Sequence, residues 1–256
     1  MDWLEKYPPK YYVMALVLIG LAMYLYSSAY SPVSPFDERT HMPRALGTVT
    51  SEWQRLSTLI DGPVYYYITD LSYRFFGYGF FSARLFPALF STASIALVYL
   101  LAKELYGRRT ALLSAILFTF SASQIIYGSR SLSDPMYAAF LLLSMLLFVR
   151  WAKEGDSKKL YAAAAFFGVS AATKIVAFYF LPAFAVYYLL SGKKMKLKTV
   201  AVASAIFILL FSPVVLYNYF LYKDKQLADF QVTRLFNIEN SKKYFESTDI
   251  GGIRDA

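Results

Sequence analysis

The hydrophobic positions of this chain fall into seven long blocks separated by polar segments. A helix needs about 20 apolar residues to cross the hydrocarbon core of a bilayer, so blocks of this length predict transmembrane helices. The pattern therefore predicts an all-α polytopic membrane protein with about seven transmembrane helices. The predicted spans lie at residues 11–30, 83–105, 110–128, 134–152, 159–174, 175–191 and 197–222.

The first and the fifth blocks each allow two interpretations. Residues 11–30 are longer than the apolar core of a signal peptide and are not followed by a small-residue cleavage pattern, so we expect a retained helix. A single span across 159–191 would place Lys174 in the middle of the bilayer, where a charge is costly. The sequence therefore predicts two spans that meet at Lys174.

The composition supports the membrane class and excludes several others. Hydrophobic residues make up 57% of the 256 residues and charged residues 17%, where a soluble domain carries roughly a quarter charged. The net charge of +9 could indicate nucleic acid, but the basic residues cluster between apolar blocks, as membrane topology requires. With no cysteine and one histidine, disulfides, thiol catalysis and cysteine-ligated metals are excluded.

The basic residues also predict the orientation. With the N-terminus in the cytoplasm, the short outer loops hold only Arg130 and Lys174, whereas the short cytoplasmic loops hold eleven basic residues, as the positive-inside rule requires. The cytoplasmic residues are Lys103, Arg108, Arg109, Arg150, Lys153, Lys158, Lys159, Lys193, Lys194, Lys196 and Lys198. The first loop, at about 31–82, then lies on the outer face. Residues 1–222 form the transmembrane module, and the polar tail 223–256 shares the outer face.

The first outer loop carries two predicted amphipathic helices. Between Arg44 and Leu59 the apolar positions recur at helical spacing, which indicates a helix along the membrane surface. Pro63 and the following VYYYITDLSYRFF predict a second one. We expect Tyr65 to Tyr67 to pack at the interface, with stacking on a sugar as the alternative.

Adjacent carboxylates, Asp37 and Glu38, follow the first span closely. One could accept a proton from an alcohol while the other orients it or helps to hold a cation, and solvated loop acids are the alternative. The residues alone do not choose between base and ligand. His41 is expected to be a polar loop residue and is left without a role.

Four further ionisable residues lie at the outer ends of predicted spans, namely Arg84, Arg130, Asp134 and Lys174. Charges so close to hydrocarbon are often paired or functional, and this set could grip a phosphate and activate a nucleophile. The alternatives are that the basic side chains only reach toward the interface and that Asp134 only caps the helix that begins with Pro135.

The order of several segments resembles a known family. These segments are FDE after the first span, DGPVYYYI, the stretch from ARLFPALF to SRSLSDPMY, and GVSAATKIVAFYFLPA. Together they resemble the lipid-dependent glycosyltransferases of the C superfold, most closely the protein O-mannosyltransferase and aminoarabinose transferase branch called family 39. The resemblance covers roughly residues 11 to 222.

The resemblance implies a membrane enzyme that takes a sugar from a polyprenyl-phosphate donor on the non-cytoplasmic face. It implies Asp37 as the base and Glu38 as its companion, and it matches Arg84 and Asp134 to a family arginine and a family acid. We expect an inverting displacement on a hydroxyl of a protein, lipid or glycan acceptor. Arg84, Arg130 and Lys174 are expected to contact the donor phosphate. A divalent cation (Mg or Mn) held by Asp37, Glu38 and Asp134 could share that task.

The chain departs from the family in two places. Relatives often have a basic residue or histidine beside the proline of the first loop, where this chain has Asp61 and Gly62. Full relatives also continue beyond the last span, so we expect either a truncated product or a module that needs a partner subunit for the C-terminal half. The alternative function is a non-catalytic subunit that binds lipid phosphate or assists assembly. A transporter is disfavoured, because no repeated half is visible.

Overall fold

The computed structural model describes residues 9–32, 37–46, 61–226, 228–229 and 232–233, and the elements in this part of the chain are helical. In chain order the helices are α1 (Pro9–Tyr30), α2 (Asp37–Ala45), α3 (Pro63–Phe76), α4 (Phe80–Tyr106), α5 (Arg108–Thr119), α6 (Ala122–Tyr127), α7 (Asp134–Glu154), α8 (Ser157–Thr173), α9 (Leu181–Ser191) and α10 (Leu197–Lys225). A 3-10 helix at Ile175–Phe180 precedes α9.

Four of these helices, α1, α4, α7 and α10, are long and apolar enough to cross a bilayer. The other three predicted spans form shorter helices, so the count of seven is not confirmed. The third predicted span is broken between α5 and α6, where the Ser121 side chain accepts a hydrogen bond from the Gln124 amide and starts a new helix. Helix α8 has 17 residues, which corresponds to about 26 Å at 1.5 Å per residue.

The helical structure is interrupted at Lys174, as the sequence predicts. Helix α8 ends at Thr173, and Lys174 is extended, with φ −154° and ψ 121°. The following residues form the 3-10 helix and then α9. The charged side chain therefore lies at the end of a helix and not within one.

Helices α4 and α7 pack against each other. Helices α1 and α5 pack on α4, and helix α8 packs on α7. Helix α10 packs on α8. A tight turn joins α7 to α8 at Gly155, whose φ of +81° is readily adopted by glycine. Asp156 then accepts a hydrogen bond from the Lys158 amide and caps α8. The turn makes α7 and α8 an antiparallel pair, so the start of α7 and the end of α8 share one end of the bundle.

Helices α2 and α3 lie at this end of the bundle, which is called the outer end below after the orientation that the sequence predicts. A second helix from Pro63 is confirmed, but Tyr65 and Tyr66 are both 0% exposed and are packed inside the protein instead of at the interface. The physical reason is that their hydroxyls have interior partners, Ser131 and His41. The helix predicted from Arg44 to Leu59 lies largely outside the described residues.

Candidate functional site

A buried ion pair joins Glu38 to Arg84 at the outer end. Glu38 lies in the first turn of α2, and Arg84 lies in the second turn of α4. Arg84 Nε donates to Glu38 Oε1 at 2.7 Å, and Arg84 Nη2 donates to Glu38 Oε2 at 2.7 Å. Glu38 is 0% exposed and Arg84 is 1% exposed. This bidentate pair fixes the start of α2 against α4.

The remaining donors of Arg84 hold the end of α1. Nη1 donates to the carbonyl oxygens of Ser28 and Ser31, each at 3.0 Å, and Nη2 donates to the carbonyl of Pro32 at 3.4 Å. A helix C-terminus leaves carbonyls without intrahelical partners, and a cation there is favourable. All five N–H groups of Arg84 therefore have acceptors within the chain. This geometry favours positioning over the expected contact with a donor phosphate, which stays a prediction.

Glu38 has a third donor, because the Ser131 amide donates to its Oε1 at 2.9 Å. Both carboxylate oxygens are thus engaged, which suits a side chain that positions α2 better than one that takes a proton. Asp37 immediately precedes it as the first residue of α2. The Asp37 side chain lies outside the described part of the structure, so its role as base stays a prediction.

A second ion pair joins Lys174 Nζ to Asp134 Oδ2 at 2.8 Å. Asp134 begins α7 and Lys174 follows α8, so the antiparallel pair of helices brings both to the outer end. The Asp134 side chain engages Lys174, and Ser133 is the N-cap residue of α7. The side chains of Lys174 and Asp134 are 21% and 46% exposed, in contrast to the Glu38–Arg84 pair.

The charge of Lys174 is stabilised by two carboxylates. Burial by itself would lower the pKa of Lys174, but the charges of Asp61 and Asp134 outweigh it and raise the pKa above the ordinary lysine value. Lys174 Nζ also lies 5.9 Å from the centre of the Tyr137 ring. The result is a partly accessible cation at the outer end, able to meet an anionic ligand.

Gly62 brings the start of α3 against the end of α8. Its N–H donates to the carbonyl of Thr173 at 3.0 Å, and a Cβ at this position would lie 2.0 Å from the carbonyl oxygen of Ala172. Because both neighbours are backbone atoms, a side chain does not fit without moving α3 away from α8. The close approach places the preceding Asp61 in the electrostatic environment of Lys174.

His41 lies in a buried polar cluster that the sequence interpretation missed. Its Nδ1 is 3.0 Å from the Tyr66 hydroxyl, and its Nε2 is 3.6 Å from Asp61 Oδ2. The His41 ring also meets Tyr65 edge-on, with ring centres 5.6 Å apart. The expectation of a polar loop residue is therefore wrong, because His41 lies within α2 and is only 5% exposed.

The segment between α6 and α7 adds hydrogen-bonding groups to the outer end. The Ser131 hydroxyl lies 2.9 Å from the Tyr65 hydroxyl, and the Ser129 hydroxyl donates to Ser27 Oγ at 2.7 Å. Between them, Arg130 Nε is buried and has no hydrogen-bond partner among the described residues. A buried N–H normally has a partner. The expected contact of Arg130 with the donor phosphate stays a prediction.

The carboxylates in the described ranges do not form a metal cluster. Searched over those residues, the structure has no group of three histidine or acidic side chains that could hold an ion. Of the expected ligands, Glu38 is bound by Arg84 and Asp134 by Lys174. A divalent cation therefore stays a prediction, and no chemical step is derived through it.

At the outer end, sequence reasoning selected the residues of the Glu38–Arg84 and Lys174–Asp134 pairs but not the cluster of Asp61, His41 and Tyr66. For Asp61 the sequence did hold a signal, because this residue directly precedes the Gly-Pro pair at the start of α3. A helix that starts beside the membrane surface places the residue before it at the same membrane depth as Lys174. His41 and Tyr66 carry no such signal. They lie 25 residues apart, and only the packing of α2 on α3 joins them.

The fold and this cluster define a multi-pass membrane protein with a polar site at one end of its helices. The family model of the dolichyl-phosphate-mannose-protein mannosyltransferases matches residues 61–217. The chain belongs to this family and carries its glycosyltransferase domain. The matched range includes Arg84, Arg130, Asp134 and Lys174, whereas Asp37 and Glu38 precede it.

Two sequence relatives extend the comparison. An uncharacterized protein of Aquifex aeolicus (strain VF5) is 28% identical over 250 residues, which is 92% of this chain and 50% of that protein. YkcB of Bacillus subtilis (strain 168) is 32% identical over 156 residues, which is 59% of this chain and 22% of that protein. The chain thus spans at most half the length of these relatives.

The fold matches a solved membrane protein. Crystal structures of ArnT from Cupriavidus metallidurans, bound to undecaprenyl phosphate and in the apo state, both align with a TM-score of 0.66 and 18% sequence identity. The alignment to the bound form covers 84% of this chain and 42% of the ArnT chain. At this identity the match establishes the all-helical membrane fold.

Proposed function

We propose that this chain is a module of a membrane glycosyltransferase that moves a sugar from a polyprenyl-phosphate donor to a hydroxyl acceptor on the non-cytoplasmic face. The observation that carries the proposal is that the start of α2, which holds the proposed base, and two cationic side chains lie together at the outer end. Helix α2, which begins at Asp37, is pinned by the buried Glu38–Arg84 pair. Lys174 and Arg130 supply partly accessible cationic groups at the same end.

The donor phosphate is bound by cations in this proposal. A phosphate that arrives from the membrane shares Lys174 with Asp134 and accepts from the guanidinium of the half-buried Arg130. Arg84 supports the site indirectly, because it holds α1 and α2 together. The crystal structure of ArnT with undecaprenyl phosphate supports a polyprenyl phosphate as the lipid class.

The chemical step is an inverting displacement. Asp37 accepts the proton of the acceptor hydroxyl while the oxygen attacks the anomeric carbon of the sugar. The bond between that carbon and the phosphate oxygen breaks, and its electron pair stays on the departing lipid phosphate. Lys174 and Arg130 offset the negative charge that grows there. The family description supports a mannosyl group as the first sugar to test.

The test compares the purified chain with its Asp37→Asn variant in nanodiscs supplied with a polyprenyl-phosphate mannose and a set of hydroxyl acceptors. We expect the variant to bind the donor as tightly as the parent and to lose transfer. Asp156→Asn, which changes the cap of α8 at the other end of the bundle, is the matched control and should leave transfer unchanged. Transfer by Asp37→Asn at the parent rate would contradict the base assignment.

The alternative is a subunit that binds lipid phosphate without transferring the sugar. The observation that favours it is that both carboxylate oxygens of Glu38 are engaged by Arg84 and the Ser131 amide, whereas Lys174 stays partly accessible to a phosphate. Donor binding by both proteins in the same experiment, with no transfer by either, would support this alternative.

A further inference from the structure

An apolar groove extends from the middle of the bundle toward its inner end, which is opposite the end that holds the candidate site. It has a volume of about 330 Å³ and is bordered by α7, α8, the 3-10 helix, α9 and α10. Its lining is apolar except for Ser144 and Ser204. Ligand pockets commonly have volumes of about 300–1,000 Å³, so the groove is large enough for part of a ligand.

The shape of the groove restricts what can enter it. Helix α9 packs on α7 and α10 packs on α8, so the groove lies between two separately supported helices. Phe178, Phe207 and Phe211 contact one another with ring centres 5.3–6.0 Å apart and close the outer end. The mouth faces the membrane, because Leu181 is 46% exposed and Ser204 is exposed. The groove is therefore open to lipid chains from the side.

The groove lies toward the inner end of the helices. Leu160, in the first turn of α8, and Ala203, in the second turn of α10, both line it. From Leu160 to Phe167 its wall extends about 10 Å along α8, at 1.5 Å per residue. An occupant thus comes from the leaflet that meets the inner end.

The basic α9–α10 loop and the α7–α8 turn, which holds the acids Glu154 and Asp156 as well as lysines, border this end of the groove. The α9–α10 loop carries Lys193, Lys194 and Lys196 without an acidic residue. Lys193 Nζ lies 3.7 Å from the position of a Cβ at Gly155, so this loop meets the α7–α8 turn, where Lys158 is exposed. Among the described residues these lysines have no ion-pair partner, unlike Lys153 and Lys159.

One residue of the basic loop packs into the wall of the groove. Met195 contacts the apolar cluster that contains Phe148 and Leu160, both of which line the groove. The Met195 amide also donates to the Tyr188 hydroxyl at 3.4 Å. The lysines on either side of Met195 are therefore held beside the groove.

We propose that this groove and its basic border bind an anionic phospholipid of the adjacent leaflet, with an acyl chain in the groove and the headgroup phosphate at Lys158, Lys193 and Lys194. The groove offers a side-facing apolar slot, and the lysines, which have no ion-pair partner in the described ranges, lie where the headgroup of a lipid in that slot would emerge. The site is independent of the proposed catalysis.

Trp151 provides a direct readout of occupancy. It is 5% exposed, and its ring centre lies 5.3 Å from that of Phe148 in the groove wall. With Trp3→Phe and Trp53→Phe, Trp151 is the sole tryptophan. A lipid with a brominated acyl chain quenches its fluorescence when the chain enters the groove.

The experiment places this variant in phosphatidylcholine vesicles with increasing fractions of brominated phosphatidylglycerol or of brominated phosphatidylcholine. We expect brominated phosphatidylglycerol to reach half-maximal quenching at a fraction about ten-fold lower than brominated phosphatidylcholine does. The reason is that lysines beside a membrane attract anionic headgroups. Replacing Lys158, Lys193 and Lys194 by Gln should abolish this preference. Replacing Lys10 and Lys103, which are exposed elsewhere, should leave it intact.

The groove itself is tested with Ser204→Phe at its mouth and Ala164→Phe in its wall. Both should reduce quenching by either lipid, and the exposed position of Ser204 makes that variant compatible with folding. Equal quenching by the two lipids would overturn the headgroup assignment, and unchanged quenching in both Phe variants would overturn the groove assignment. Native mass spectrometry of the unsubstituted chain should show phosphatidylglycerol retained over phosphatidylcholine, and equal retention would also overturn the proposal.

Discussion

The outer and inner ends of the bundle both contain ion pairs, but the surroundings of these pairs differ. At the outer end Glu38 and Arg84 are 0% and 1% exposed. At the inner end Glu104 meets Arg150 and Lys153, whose side chains are 32% and 45% exposed. Removing one partner of a buried pair leaves a buried charge without compensation, whereas an exposed charge regains water. The outer pair is therefore the one on which the local structure depends.

The largest expected effect comes from breaking the outer pair. Glu38→Gln should lower the free energy of unfolding by about 3–5 kcal/mol, because Arg84 stays buried with its charge uncompensated. Glu104→Gln, the matched change at the inner end, should cost about 1 kcal/mol or less. Thermal unfolding in detergent measures both. Equal shifts in the two variants would contradict the comparison.

The next largest effect is expected at the partly exposed Lys174–Asp134 pair of the outer end. Lys174→Met should reduce sugar transfer by about 10²–10³-fold, since one contact to developing negative charge is lost. The fold should remain intact, because Asp134 is 46% exposed and regains solvent. Transfer rates and donor binding measure the change.

Two companion variants sharpen this result. Lys174→Arg keeps the positive charge and should recover part of the activity, whereas Lys158→Met changes a lysine at the inner end and should have no effect on transfer. Parent activity in Lys174→Met would remove this residue from the proposed phosphate site.

A smaller effect is expected from the backbone contact between α3 and α8. Gly62→Ala places a Cβ 2.0 Å from a carbonyl oxygen, and overpacking of this kind typically costs about 1–3 kcal/mol. Gly79→Ala is the control, because a Cβ there meets nothing within 4 Å. Thermal unfolding should separate the two variants. Similar melting temperatures would show that the α3–α8 contact yields easily.

The smallest effect is that of pH on Lys174. Its pKa is raised in the folded protein, so Lys174 is protonated throughout the neutral range and its stabilising contribution is complete below the pKa of an unfolded lysine. The contribution is lost only as the pH rises through the raised pKa. Donor binding should therefore show no titration step from Lys174 between about pH 6 and 9. A step in that range that disappears in Lys174→Arg would contradict the raised pKa.

The sequence determined the membrane class and the principal helices. Blocks of apolar residues near 20 long have few alternatives to a membrane-crossing helix, because backbone polar groups in lipid need internal partners. The break at Lys174 was also predictable, since a lysine in the middle of a span is costly. The count of seven spans is not confirmed, and hydropathy did not register that α5 ends at Thr119 and that Ser121 starts α6.

The tertiary structure decided how the polar residues are used. Arg84 and Glu38 are 46 residues apart, and their pairing with each other follows from the approach of the start of α2 to α4, which the sequence does not show. In the same way, the contact of Gly62 with Thr173 brings Asp61 near Lys174, and α2 on α3 buries His41 against Tyr66. The spacing of hydrophobic residues depends only on neighbours along the chain, so the sequence is enough to predict the helices. Ion pairing depends on distances between segments far apart in sequence, and these exist only once the helices have packed.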